Sequence, residues 1–563
     1  MKNDLDLALE KIKKKDFSEA IKLYEKILNQ EPENFDANLN LGSIYAQTKN
    51  FSMASELWSK AIKINPNIPD VHNNLAMVEI TLKNYDKAIE YAQNAITLNP
   101  KFFLAFNNLG IAQKERGDYE DAKSSFQKSI SINPKGFLAY YNLGIINYEL
   151  NDAVNSEKSY IESIKFNPKY ISSYINLLNL YEKLNKIEKL EELLNQAKKI
   201  FPENDTLKLI EGKLNFKIKN YEKNSTLLKS LNFNNTNKNR EILRLTILAK
   251  SLDKIGNYSD AFKYFQDANN LNFEINKNKV DKNKIIEIIE KRINFFKNSE
   301  NFSWNNKDQK NSYNDPIFLV GFPRSGTTLL DTILRSHPKV NVIEEKPIIS
   351  KFIEKLNTKL NSNLEKMNSL DEESISEIKN FYYSIRDKYI YENKEIHIDK
   401  MPLNLIHAAE IIKFFPNAKF IFAIRHPCDC VLSAFMQSFS LNDSMANFLT
   451  LEDTIFFYSK LMELWNIYTN SLKINYHMIK YENVVSNFNE AINNLLIYLN
   501  LEWSDEIIKF HETAAKRGLI STPSYDQVNR PIYSESVGRW KNYEKEFSNI
   551  KFKLESWIKI FNY

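Results

Sequence analysis

The sequence predicts two folds in series: an N-terminal all-α superhelical repeat array, then a C-terminal α/β domain built on a mainly parallel sheet. Three observations predict them. Proline recurs at Pro32, Pro66, Pro100, Pro134, Pro168 and Pro202, each 34 residues after the last. From residue 315 onward, short apolar runs alternate with helical patterns, the order that gives right-handed crossovers and parallel strands. Between the first of those runs and its helix lies Gly321-Phe322-Pro323-Arg324-Ser325-Gly326-Thr327-Thr328, a tight turn that opens a helix.

The repeat is supported by two further ladders in the same register. Small residues stand at Ala20, Ala54, Ala88 and Ala122, with Ser156 and Leu190 following. Asn-Leu-Gly-like triplets begin at Asn40, Asn74, Asn108, Asn142 and Asn176. A period of 34 with this alternation of small and large residues resembles the tetratricopeptide repeat, a pair of helices per unit. Leu and Tyr fill the first helix face, small residues admit the second helix, and proline stops it. Such units cannot bury their faces alone, so they stack into a superhelix with a concave surface. About eight units are expected over residues 1–297, the last ones degenerate. Asn220-Tyr221-Glu222 and the run from Asn257 to Phe262 mark late second helices. A polar stretch, 298–314, reads as a linker, and 315–563 as the second domain. The array suits either a scaffold or oligomerisation arm, or a groove that captures an acceptor or partner, such as a protein or peptide.

Length and composition bound the rest. A chain of 563 residues exceeds one core. A net charge of +5 on this size makes no case for nucleic acid. The two cysteines, Cys428 and Cys430, are too few for a disulfide framework and lack neighbouring metal ligands, so buried inert thiols and no metal site are expected. The N-terminus has no signal-like apolar core, and no run of about 20 apolar residues appears, so a cytoplasmic protein without a membrane span is expected.

In the second domain, strands are expected at Ile317–Val320, Val340–Ile343, Ile396–Asp399, Lys419–Ile424 and Tyr476–Tyr481. Ligands in such sheets sit at the carboxyl ends of the strands. Charged residues gather there: Arg324 after the first strand, Glu344 and Glu345 after the second, Lys400 after the third, Arg425 after the fourth. The turn itself is an anion site by construction. Free N–H groups of a helix start point at the ligand and the helix dipole favours negative charge. Arg324 adds a guanidinium fork. The spacing Gly321-x-x-x-x-Gly326-Thr327-Thr328 is that of a nucleotide P-loop, but Thr327 stands where a triphosphate hydrolase keeps its lysine. That disfavours a kinase.

These residues resemble the sulfotransferase family, over roughly 315–543. Pro323–Thr328 is similar to its 5′-phosphosulfate loop. Phe420–Ser433, with Arg425 ending a strand and Ser433 eight residues on, is similar to its 3′-phosphate motif. Ser521–Pro531 with Gly538-Arg539-Trp540 resembles the covering segment of the protein-tyrosine branch. The resemblance implies transfer of a sulfuryl group from 3′-phosphoadenosine 5′-phosphosulfate (PAPS), leaving 3′,5′-ADP, with no metal. It places Arg324, Ser325, Gly326, Thr327 and Thr328 on the 5′-phosphosulfate, and Arg425 and Ser433 on the 3′-phosphate. It makes Tyr481, Tyr525, Gln527, Arg539 and Trp540 further cofactor contacts. Glu345 falls where the branch has its base, Lys400 where it has a lysine on the bridging oxygen, and Ser524 where a serine assists, with Ser521 a close competitor. Gln437 stands where that branch has a basic residue. His397, His407 and His426 lack the setting of a catalytic histidine. The acceptor stays open: a protein or peptide tyrosine, a glycan or a small molecule. The alternative is an interaction scaffold whose transferase domain binds nucleotide without catalysis.

Overall fold

The computed structural model describes residues 2–298, 315–360, 363–390, 394–516, 532 and 534–563. They form two compact units, 1–214 and 215–563. The first is a run of antiparallel helix pairs, from Lys2–Lys13 with Phe17–Gln30 to Ile171–Lys183 with Ile187–Ile200. The proline ladder acts as expected. Second helices end at Gln30, Ile64, Leu98, Ile132, Phe166 and Ile200, each two residues before its proline. The residue between them has left the helical region, as at Asn65 (φ −135°, ψ 97°) and Asn99 (φ −139°, ψ 92°). This is what the ring of a following proline demands.

Two periodic features set how closely the helices of a pair approach. Each first helix turns out through a left-handed residue: Lys15, Lys49, Lys83, Gly117, Asn151, Asn185 and Lys219. Within the pairs, bulk on one helix is matched by its absence on the other. A Cβ on Gly42 would lie 2.7 Å from the Trp58 ring, one on Gly110 2.7 Å from Phe126, and one on Gly144 2.6 Å from Tyr160. At the equivalent positions of the third pair, Ala76 faces the register of Ala92, and both are fully buried. Glycine thus faces a ring in three pairs, whereas in the first pair Ala8 holds that position in the register of Tyr24, both fully buried.

The second unit begins with helices that the repeat period assigns to the array. Lys238–Lys254, Tyr258–Asn276 and Lys282–Asn298 group with the α/β domain, so the compact units divide at Leu214 and Asn215 rather than near 297. Specific bonds explain the grouping. Asn269 donates to the Phe435 carbonyl at 3.0 Å and Gln266 to that of Leu449 at 3.1 Å. Arg292 is buried against Glu410, and Phe296 packs edge-on against Tyr468 at 5.1 Å. Of the expected linker, 299–314 lies outside the described residues.

Five strands form one parallel sheet: β1 (Ile317–Gly321), β2 (Val340–Glu344), β3 (Ile396–Lys400), β4 (Lys419–Ile424) and β5 (Tyr476–Lys480), in the order β2-β3-β1-β4-β5. The connection from β1 runs toward one edge and that from β4 toward the other, so the crevice lies at the carboxyl ends of β1 and β4. The two faces differ in kind. Ile317, Leu319, Val342, Ile398, Ile421 and Ala423 form an aliphatic layer under helix Thr327–Arg335. The opposite face is aromatic, with Phe318 stacked on Phe420 at 5.4 Å and Phe422 on Trp465 at 4.6 Å.

The paired sizes in the array predict a sign change. Gly110→Ala should destabilise by about 1–2 kcal/mol while Phe126 is present, through overpacking. In a Phe126→Ala background it should stabilise by about 0.5–1 kcal/mol, because alanine is then simply the better helix former. Thermal unfolding of the four proteins measures this, and the same sign in both backgrounds would disprove the size matching.

Candidate functional site

The first part of the site is the turn after β1. Gly321 sits against the Ala423 carbonyl, where no side chain fits. Ser325 donates its N–H to the Phe322 carbonyl at 3.1 Å, closing the turn. Arg324 (φ 75°) and Gly326 (φ 99°) both take left-handed backbone. A Cβ on Gly326 would lie 2.9 Å from the Tyr481 ring, so glycine is required for backbone and space alike. Helix Thr327–Arg335 starts there with no side chain capping its first turn. Its N-terminal N–H groups thus face the crevice with the positive end of the dipole. The Ser325 hydroxyl is buried and has no hydrogen-bond partner among the described residues.

The second part comes from β4 and the helix after it. Arg324 Nε donates to Ser433 Oγ at 3.1 Å, which joins the two motifs that the sequence places 109 residues apart. Arg425 is buried, and its guanidinium lies 5.1 Å from the Tyr481 ring centre. It donates to the carbonyls of Arg324, at 3.5 Å, and of Ser536. Its Nε has no hydrogen-bond partner among the described residues. A buried hydroxyl and a buried guanidinium N–H with donor capacity to spare fit an anionic ligand.

The third part is at the ends of β2 and β3. Lys400 is completely buried. Its Nζ lies 2.8 Å from Glu345 Oε1, 3.2 Å from Glu344 Oε1 and 3.8 Å from Asp331 Oδ2. Burial works against the ammonium, but Asp331, Glu344 and Glu345 outweigh it and raise its pKa above the ordinary lysine value. Glu345 also donates its N–H to the Lys400 carbonyl at 2.8 Å, which ties the two strand ends together. Of the three carboxylates, the Glu345 side chain is 38% exposed, against 7% for Glu344 and 0% for Asp331. It is the one that a ligand in the crevice can reach.

Other predicted residues lie elsewhere. Arg539 pairs with Asp253 of helix Lys238–Lys254 at 2.9 Å. Trp540 stacks flat on His426, with centroids 5.5 Å apart, and its N–H donates to Asp429. His426 donates its own N–H to Glu482 and accepts from the Cys428 N–H. Both thiols are buried, and burial pushes them up to about 12. Ser524, Tyr525 and Gln527 lie outside the described residues. Sequence reasoning missed Asp331, Asp429 and Asp253. Asp331 was findable: with Thr327, Leu330 and Leu334 it falls on the i, i+3, i+4, i+7 stripe that helix Thr327–Arg335 buries.

Such a turn, at the switch point of an α/β sheet, has the chemistry that suits a phosphorylated ligand. Residues 316–505 match the sulfotransferase family, and the second unit carries a domain of that family. Tetratricopeptide repeats match at 11–78, 69–102, 91–124 and 171–204. The chain is 29% identical over 246 residues to an uncharacterised protein of Aquifex aeolicus, covering 41% of this chain and 31% of that one. It is 27% identical to protein-tyrosine sulfotransferase 2 of Gallus gallus over 40% of this chain and 62% of that one. To protein-tyrosine sulfotransferase 1 of Danio rerio it is 29% identical, over 40% and 65%. It thus spans between about a third and two thirds of each of these relatives. Among the described residues, no helix is long and apolar enough to cross a membrane, and no group of His, Cys, Asp or Glu has the geometry to hold a metal ion.

Next to Lys400, on the aromatic face of β3, stands Asp399, 3% exposed, with neither oxygen hydrogen-bonded among the described residues. Burial raises its pKa to about 8. The folded value lies above the unfolded one, so this carboxyl favours the fold at acid pH and progressively less as pH rises toward 8. Asp399→Asn removes that slope, at most ~1.4 kcal/mol per pH unit. Unfolding by denaturant at several pH values should therefore show the variant gaining on the parent between about pH 4 and 8. A constant difference would mean that Asp399 is ionised in the fold.

Proposed function

We propose that the chain is a sulfotransferase that moves a sulfuryl group from PAPS to an acceptor hydroxyl. What supports this most is the bond between Arg324 of the turn and Ser433 of the helix after β4, beside the buried Arg425. That arrangement offers cationic donors for two separate phosphate groups in one crevice. The Ser325 hydroxyl and the Arg425 Nε, buried with donor capacity left, fit such a donor molecule. When bound, PAPS supplies the activated sulfuryl group.

The chain's residues then divide the work. Arg324 and the N–H groups of Ser325, Gly326, Thr327 and Thr328 would bind the 5′-phosphosulfate. Arg425 and Ser433 would bind the 3′-phosphate, and the Tyr481 ring, packed over Gly326 and beside Arg425, would flank the same ligand. Glu345 Oε1 would take the acceptor proton; it is the most exposed carboxylate at Lys400. Lys400 is held charged by its neighbours and would offset charge on the bridging oxygen. Ser524, Tyr525 and Gln527 would complete the cover, with Arg539 and Trp540 shaping its end. The repeat array would hold the acceptor or a partner, for which a peptide is the chemistry that such a concave helical surface suits. A tyrosine, a glycan and a small molecule are the acceptors to compare.

Two outcomes test the reading. The protein should bind 3′,5′-ADP at least about tenfold more tightly than ATP, because charge-assisted bonds to the 3′-phosphate contribute on the order of 1.5–3 kcal/mol. Equal affinity by calorimetry would remove Arg425 and Ser433 from their roles. With labelled PAPS and a lysate or a tyrosine peptide as acceptor, Glu345→Gln should lower transfer by about 10²–10⁴-fold while 3′,5′-ADP affinity stays within a few-fold. Unchanged transfer would exclude Glu345 as the base.

A further inference from the structure

The segment Ser536–Tyr543 ends beside Arg425, and it is anchored at three points. Arg425 donates to the Ser536 carbonyl. Asp429 accepts the N–H groups of Gly538, at 2.7 Å, and Trp540, at 2.8 Å. The third anchor comes from the repeat-like helix Lys238–Lys254. Asp253 accepts from the guanidinium of Arg539 at 2.9 Å and from the Tyr543 hydroxyl at 2.6 Å. Asp253 and Tyr543 are buried, while the Arg539 side chain is 29% exposed.

The same helix pair also holds the helix that bears Ser433. Tyr258 and Phe262 of helix Tyr258–Asn276 pack on Tyr543, at 5.3 and 6.4 Å, and Phe262 stacks on Phe435 at 4.9 Å. Asn269 caps the Phe435 carbonyl, at the end of the helix that carries Ser433. One helix pair thus fixes both the segment lying on Arg425 and the helix bearing Ser433.

We infer that Asp253 is a positioning residue for nucleotide binding: through Arg539 and Tyr543 it sets the segment that lies on Arg425, so a repeat-like helix tunes affinity for a 3′-phosphorylated nucleotide. This rests on the PAPS reading above. The sequence points instead to direct cofactor contact by Arg539, and the two roles separate experimentally.

Full-length protein is titrated calorimetrically with 3′,5′-ADP and with 5′-AMP, which lacks the 3′-phosphate. Asp253→Ala should weaken 3′,5′-ADP by about tenfold or more and 5′-AMP much less. Arg539→Ala should do the same, and the double variant should be no weaker than either single one, because both break one link. Asp253→Asn, which still accepts from Tyr543, should recover part of the loss. Hydrogen exchange of the peptide holding Gly538 and Trp540 should speed up in Asp253→Ala. If that variant fails to fold, Tyr543→Phe decides the matter, since it removes only one donor to Asp253 and should weaken 3′,5′-ADP measurably. Parent-like 3′,5′-ADP affinity in the folded Asp253 variants, or additive losses in the double variant, would overturn this inference and leave the PAPS reading intact. No binding of 3′,5′-ADP by the parent would overturn both.

Discussion

The arrangement at the strand ends depends on one buried ammonium. Lys400 has no exposed surface, and a lone ammonium there would be untenable. Its neighbours make it tenable: Asp331 from the helix after β1, and Glu344 and Glu345 from the end of β2. Removing one member of such a group typically costs about 3–5 kcal/mol, because the remaining charge is left uncompensated. The charge therefore fixes three separate pieces of chain relative to one another. Arg335 donates to Asp331 from one turn further along, which keeps that carboxylate aimed. The only well-exposed member is Glu345, so the one group free to meet a ligand is held by the group that cannot move.

Neighbouring residues on β3 show how the pleat separates two chemistries. Lys400 and Ile398 face the helix Thr327–Arg335, where acidic partners are at hand. Asp399 faces the aromatic layer, between the register of Phe318 and that of Ile343, where no donor reaches it among the described residues. Alternation of side chains along a strand makes the difference, not sequence distance. A carboxyl on the aliphatic side would join the lysine cluster; on the aromatic side it is driven toward its neutral form. The strand thus carries a lysine with acidic partners on one face and, one residue away on the other, a carboxyl whose pKa burial raises.

Much of this was legible in the sequence because period and contrast carry strong signals. The 34-residue ladders locate the helix pairs, and the apolar runs locate all five strands to within a residue or so of their ends. The turn Gly321–Thr328 and the charges at the strand ends also lie where the pattern puts them. Less legible was everything that depends on partners remote in sequence. That Gly110 stands opposite Phe126 follows from the fold and not from either residue alone. The grouping of 238–298 with the α/β domain was hidden because those helices, though longer and looser in period, still follow the array as helix after helix while changing what they pack on. Asp253 illustrates the limit. It sits in an ordinary Leu-Asp-Lys stretch near a helix end, and nothing local shows that Arg539 and Tyr543, nearly 300 residues on, will meet it.

The way those helices attach to the α/β domain has a physical consequence. An apolar face alone would allow sliding, since hydrophobic burial is not directional. Here the contact includes amide side chains on named carbonyls, Gln266 on Leu449, Asn269 on Phe435 and Asn272 on Phe439, together with the buried Arg292–Glu410 pair. Hydrogen bonds and buried ion pairs contribute modestly to net stability but penalise every misregistered alternative. A layer attached in this way defines positions to within a hydrogen bond's tolerance. Two of the carbonyls it grips, those of Phe435 and Phe439, flank the stretch that follows Ser433, and the third closes the loop before helix Leu451–Leu472. The helices at the end of the repeat pattern therefore act as part of the frame on which one wall of the crevice is built, and their polar side chains, more than their apolar ones, decide where that wall stands.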